Sequence, residues 1–244
     1  MTEPMAASSP TPPAKASVWE DFVDILFTPA AVFARRENGN PWIPLLVVTL
    51  ALGGLFLANS RLLEPIFDAE FERGMATAMR DNPQITPEMV AQGRRFARIF
   101  ATAGAFVFVP IAIGLIGLAL WLFSKAADAR ISYRTAALVA AYAYVPRVIE
   151  GLISGVQGLL LDPATLDGRY RVTLGIGRFL DPDTAAPILL ALVGRVDVFT
   201  IWVTALLAVG LAVTGKTSRL SAAVVAAFVW VAGALPGLFQ AMRS

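Results

Sequence analysis

Five apolar stretches dominate the chain, at about 42–60, 97–123, 136–161, 197–214 and 220–241. Each is close to the roughly 20 residues that carry a helix across a hydrocarbon core of roughly 30 Å. Lipid offers no hydrogen bonds, so a spanning backbone must satisfy its N–H and C=O groups internally, and a single apolar run does that as a helix. The expected fold class is therefore all-α: a polytopic membrane protein with five transmembrane helices. Composition agrees, since 57% of the 244 residues are hydrophobic and 16% are charged, against about 25% charged in a soluble domain. No segment calls for a sheet, and no internal repeat of the transporter kind is present.

The residues that are missing narrow the chemistry. The chain has no cysteine and no histidine, which excludes disulfides, thiolate or imidazole metal sites and histidine acid–base catalysis. Acids that could converge on a metal or a scissile bond are spread through polar loops, and Asp181 and Asp183 read as a solvated loop. The expectation is no enzyme, no cofactor and no metal. Twenty basic residues against 18 acidic ones give a net charge of +2 without a basic patch, so nucleic acid is not an expected partner and the lipid bilayer is. Gly215–Lys216–Thr217 ends like a phosphate loop but lacks the upstream glycine, and reads as a connector between two spans.

Residues 1–16, rich in Pro, Ser and Ala, read as a disordered tail. Residues 17–37 read as amphipathic interfacial helices. Ser17 and Glu20 have capping-box spacing, and Val18, Phe22, Ile25 and Leu26 share a face, with Glu20, Asp21 and Asp24 placed off it. Thr28–Pro29 is a stop and restart, with Thr28 as the cap of a second short helix that carries Arg35 and Arg36 near its end. Residues 40–244 then form the membrane domain. Five spans put the termini on opposite sides. The short loops 124–135 and 215–219 carry Lys125, Arg130, Arg134, Lys216 and Arg219 against Asp128 alone, which favours a cytoplasmic amino terminus. The other two loops are long. Residues 65–80 have helical spacing, Thr86–Pro87 starts a helix that can run into the second span, and 184–194 is too short to cross, so short helices are expected there.

The third span holds the candidate site. Arg147 and Glu150 sit near its middle, three residues apart on one face, where a charge costs about 2.5–3.5 kcal/mol on insertion scales. Pro146 lacks an N–H and is expected to kink the helix, freeing the Tyr142 carbonyl or a neighbour's, while Tyr142 and Tyr144 add hydroxyls. Asp197 opens the fourth span as a helix cap within reach of Arg147. Two readings of this set remain open: a neutralised pair that locks helix packing, and a solvated site for a proton, ion or small solute in a permease or channel. Gly114 and Gly117, Gly151 and Gly155, and Gly233 and Gly237 allow close helix approach, either within one chain or along the seam of a homo-oligomer.

The lead-in VWEDFVDILFTPAAVFARR, the opening NPWIPLL, the stretch YRTAALVAAYAYVPRVIEGL and the segment from DVFTIW to FVW resemble, in order and spacing, a bacterial form of the Yip family of five-span membrane proteins. The resemblance covers most of 18–241. It implies five helices, a cytoplasmic amino terminus in the cell membrane and a role in membrane organisation, and by position it marks Tyr142, Pro146, Asp197, Phe199 and Trp202. The long acidic cytosolic region of the eukaryotic members is missing, so their binding to Rab-type GTPases is not implied. The expectation is a non-catalytic scaffold or membrane-organising protein with an unidentified membrane or peripheral protein partner.

Overall fold

A computed structural model describes residues 17–242; the predicted tail at 1–16 lies outside them. Helices α1 (Val18–Phe27) and α2 (Pro29–Arg35) form a hairpin ahead of the first span. The capping box forms as spaced, with the Ser17 hydroxyl accepting from the Glu20 N–H at 3.2 Å and the Glu20 carboxylate accepting from the Ser17 N–H at 3.0 Å. Thr28 differs from expectation. Its hydroxyl donates to the Asp24 carbonyl at 3.3 Å, back onto the last turn of α1, and does not cap α2.

The apolar runs become α3 (Trp42–Asn59), α5 (Pro87–Ser124), α6 (Tyr133–Ala143) with α7 (Pro146–Leu160), α9 (Val198–Thr214), and α10 (Arg219–Ala232) with α11 (Leu235–Ala241). Among the described residues, four candidate spans are long and apolar enough to cross a bilayer: Trp42–Asn59, Pro87–Ala127, Tyr133–Leu160 and Arg219–Ala241. The fifth apolar helix, α9, is shorter, its 17 residues reaching about 25 Å. The protein is thus an all-α, polytopic membrane protein. Leu46, Phe108, Leu115, Leu152 and Phe228 stand exposed on its flanks, an apolar belt suited to lipid.

Helix α6 is the axis of the bundle. Ala136 and the run from Leu138 to Ala143 are all buried, and α5, α9, α3 and α1 pack around them. Small side chains on every side permit this. A Cβ at Gly117 would lie 2.9 Å from the Ala137 backbone, and one at Gly151 would lie 3.1 Å from Leu55; at Gly155 a Cβ would collide with Asn59. These glycines therefore serve contacts within the chain. Asn59 fastens α3 to α7 by donating to the Gly151 carbonyl at 2.8 Å.

The two ends of the bundle differ. At one, the α1–α2 hairpin lies beside the turns that follow α5 and α9, where Lys216 takes a left-handed backbone conformation and the Arg130 N–H reaches the Gly215 carbonyl. At the other, α4 (Glu64–Asp81) packs on α5, whose 38 residues extend about 57 Å and so project well beyond a hydrocarbon core. Arg94 joins α5 to Asp68 and Glu72 at 3.0 and 3.1 Å, and Arg98 joins it to Glu64 at 2.7 Å. Residues 161–196 complete this cap with single-turn helices and the short α8 (Pro187–Val193).

Candidate functional site

The third span breaks where Pro146 is placed. The Tyr144 N–H is shared between the Ala140 and Ala141 carbonyls, the Val145 N–H bonds to the Tyr142 carbonyl at 3.1 Å, and the Arg147 N–H to the Tyr144 carbonyl at 3.0 Å. Pro146 begins α7 at a position that needs no intrahelical N–H bond. The carbonyl that the proline was expected to free is therefore taken by a tighter, three-residue turn.

Just beyond the break, Arg147 reaches in two directions. Its Nη1 donates to Glu150 Oε2 at 2.6 Å, and its Nη2 donates to the Thr200 hydroxyl on α9 at 2.8 Å. Asp197 Oδ1 lies 4.0 Å from Arg147, at the limit of an ion pair. Its main work is at the start of α9, where Oδ1 accepts from the Phe199 N–H at 2.9 Å and the Thr200 N–H at 3.2 Å. Asp197 is only 3% exposed, and its Oδ2 has no hydrogen-bond partner among the described residues. Phe199 and Trp202 stack beside it, centroids 6.3 Å apart. The cluster thus ties α7 to the start of α9 through charge-assisted bonds, which are stronger than neutral ones.

Tyr142 stands apart from this cluster. Its hydroxyl donates to Asp21 Oδ2 at 3.2 Å, within the core, and its ring leans on Phe22. Asp21, expected off the buried face of α1, is 0% exposed. Arg35 Nε donates to Asp21 Oδ1 at 2.6 Å and Arg36 Nε to Asp21 Oδ2 at 2.5 Å. One buried carboxylate thus pins both lead-in helices to α6. Asp21 lies one helical turn before Ile25, which puts it at the edge of the apolar face; the twin arginines supply the donors that make burial affordable.

Tyr144 stands in the break itself, between α6 and α7. With Arg147, Thr200, Thr204, Arg195 and Trp230 it lines a cavity of about 350 Å³ between α5, α9 and α10. Arg195 escaped the reading of the sequence. It precedes α9 by three positions and donates from Nη2 to the Trp230 carbonyl at 2.8 Å, with its guanidinium 5.7 Å from the Trp230 ring centroid. The partner lies 35 residues away, so no local spacing could announce it. Among the described residues, no group of three or more acids gathers as a metal site. Asp183 pairs with Arg73 at 3.2 Å, and Asp181 accepts from the Asp183 N–H.

The cap face is cross-linked as well. Arg73 Nη2 donates to the Asp167 carbonyl at 2.5 Å, and the Arg169 N–H donates to Glu70 at 3.1 Å. Arg171 grips both oxygens of Asp167 at 2.7 and 2.9 Å, and these hydrogen bonds hold the Asp167 carboxyl below the usual range.

A family model described as the Yip1 domain matches residues 23–239. No curated protein and no solved structure matches the chain.

Proposed function

The chain belongs to the Yip1 domain family, and from that premise we propose that it is a non-catalytic, five-span scaffold of the bacterial cytoplasmic membrane with its amino terminus in the cytoplasm. In this reading α9 is the fourth span, the short basic loops face inward, and residues 17–37 and 40–244 act as one unit. The observation that carries it is the closure of Arg147 on Glu150 and Thr200: the charged groups at the break serve each other and bind two helices together. The lock then holds α7 against α9 while the lead-in hairpin presents a fixed surface. Trp19, Val23 and Phe27 form an exposed apolar stripe on α1, spaced four residues apart, which suits the headgroup boundary of the inner leaflet or a peripheral protein partner. Gly54 and Gly237, whose Cβ positions are open, remain available to a homo-oligomer.

The cavity beside Tyr144, Arg147 and Thr200 favours a second reading, a small permease or channel. Cysteine accessibility separates the two, because the chain has no native cysteine. With single cysteines at 142, 147 and 150, a membrane-impermeant thiol reagent applied to either side is expected to label none of them while loop cysteines label fully. Labelling at 147 or 150, together with proteoliposome ion flux that Glu150→Gln abolishes, would establish the permease instead.

A further inference from the structure

Arg195 is built into its place and left incompletely partnered. Its side chain crosses from the start of α9 to the break between α10 and α11. There the Ala234 N–H bonds to the Val231 carbonyl at 2.9 Å, a three-residue closure that leaves the Trp230 carbonyl for Arg195 Nη2. Gly233 makes the room, since a Cβ at that position would stand 2.9 Å from Nη2 and 3.5 Å from Cζ. One of the remaining donors is not matched. Among the described residues, Arg195 Nε is buried with no hydrogen-bond partner, and the nearby Arg147 adds a like charge to this guanidinium. A cation withdrawn from water without an anion is costly, so a seat this well shaped implies a counter-ion from outside the chain.

The surrounding cavity fits such an anion. Its polar wall carries two guanidiniums, Arg195 and Arg147, with Tyr144, Thr200 and Thr204, and neither Glu150 nor Asp197 lines it. The facing wall is apolar, formed by Leu115 and Ile116 of α5 and by Pro236. Basic pockets between membrane helices take up anionic lipid headgroups, and the planar fork of arginine matches phosphate oxygens.

We propose that this cavity binds a phosphate group, with Arg195 as its principal ligand, Arg147 as a second cation and an anionic phospholipid as the source, its glycerol and first methylenes lying on the α5 wall. The proposal adds a ligand to the scaffold reading and depends only on the helices being embedded in lipid. Arg195→Gln leaves the Arg147–Glu150 pair in place, so loss of lipid binding with the pair intact bears on this proposal alone.

The test is native mass spectrometry of the detergent-purified protein titrated with phosphatidylglycerol, with phosphatidylcholine as the zwitterionic control and inorganic phosphate as the soluble arm. One phosphatidylglycerol is expected to be retained in preference to phosphatidylcholine, and Arg195→Gln should weaken it about tenfold, the loss of charge-assisted hydrogen bonds. Arg195→Lys, which keeps the charge and loses the fork, should fall between, and it serves if the glutamine variant does not fold. Displacement of the lipid by millimolar inorganic phosphate would support the site and assign it a soluble anion as well. Equal retention of the two lipids with no phosphate effect, or unchanged binding in both arginine variants, would overturn the proposal.

Discussion

The molecule buries charge in two places and treats it in opposite ways. At the hairpin end, the Asp21 carboxylate receives Arg35, Arg36 and Tyr142, so a buried acid is surrounded by donors from its own chain, with Asp24 sharing Arg35. At the Arg195 end, a guanidinium meets one carbonyl and the Trp230 ring, and its buried Nε has no hydrogen-bond partner among the described residues. A saturated charge is a fastener, because nothing can be added to it. An unsaturated charge beside a cavity is a binding position. The Arg147 cluster lies between these extremes: its own carboxylate is close, yet one edge of its guanidinium borders the same cavity as Arg195.

The largest effect is expected at the saturated centre. Asp21→Ala takes the shared acceptor from two arginines and a phenol, leaving Arg35 its bond to Asp24, and should cost about 4 kcal/mol, since breaking a buried ion pair typically costs about 3–5. Thermal unfolding in detergent measures this, and limited proteolysis should show the hairpin cut first. A loss below about 1 kcal/mol, the range of exposed ion pairs, would mean that Asp21 is not the fastener described. Next in size is the Arg147 cluster. Arg147→Ala should cost about 3 kcal/mol because Glu150 is then left without its partner, while Arg147→Met combined with Glu150→Leu should cost much less. Additive losses in that double-mutant cycle would dissolve the lock.

The smallest effect sharpens the comparison from the exposed side. Asp167 is held below its ordinary pKa by Arg171, so its folded value lies under its unfolded value of about 3.9. The pair therefore stabilises the cap fully above that pH, and the contribution is lost as pH falls through the lower, folded value. The carboxylate is 36% exposed, so solvent screening reduces the effect to a few tenths of a kcal/mol. Hydrogen exchange across 161–180 between pH 5 and pH 3 should show the cap loosening in wild type and little pH dependence in Arg171→Gln. Equal pH dependence in the two proteins would remove Asp167 as the titrating group.

How much of this was legible in the sequence follows from the range of each interaction. The capping box at Ser17, the restart at Pro29, the run of α5 from Thr86 into the second span and the break at Pro146 all arise from neighbours within about one turn, and each shows in the spacing. The Arg147–Glu150 contact is of the same kind, three residues apart on one helix. Asp21 was misplaced for a different reason. Its carboxylate sits at the edge of the apolar face, and only Tyr142, 121 residues away, together with Arg35 and Arg36, turns that edge inward. Arg195 gave no local sign, because its acceptor exists only where α10 tightens at Gly233.

By itself, then, the sequence determined an all-α membrane protein, the places where its helices start and break, and the charges that must be hidden, because apolar length, proline and helical periodicity act through the local backbone. Which charge meets which was decided by the tertiary structure. Helix packing brings together residues tens of positions apart and sets how many donors surround each buried group. That count separates Asp21, closed by its own chain, from Arg195, which is still open to an anion.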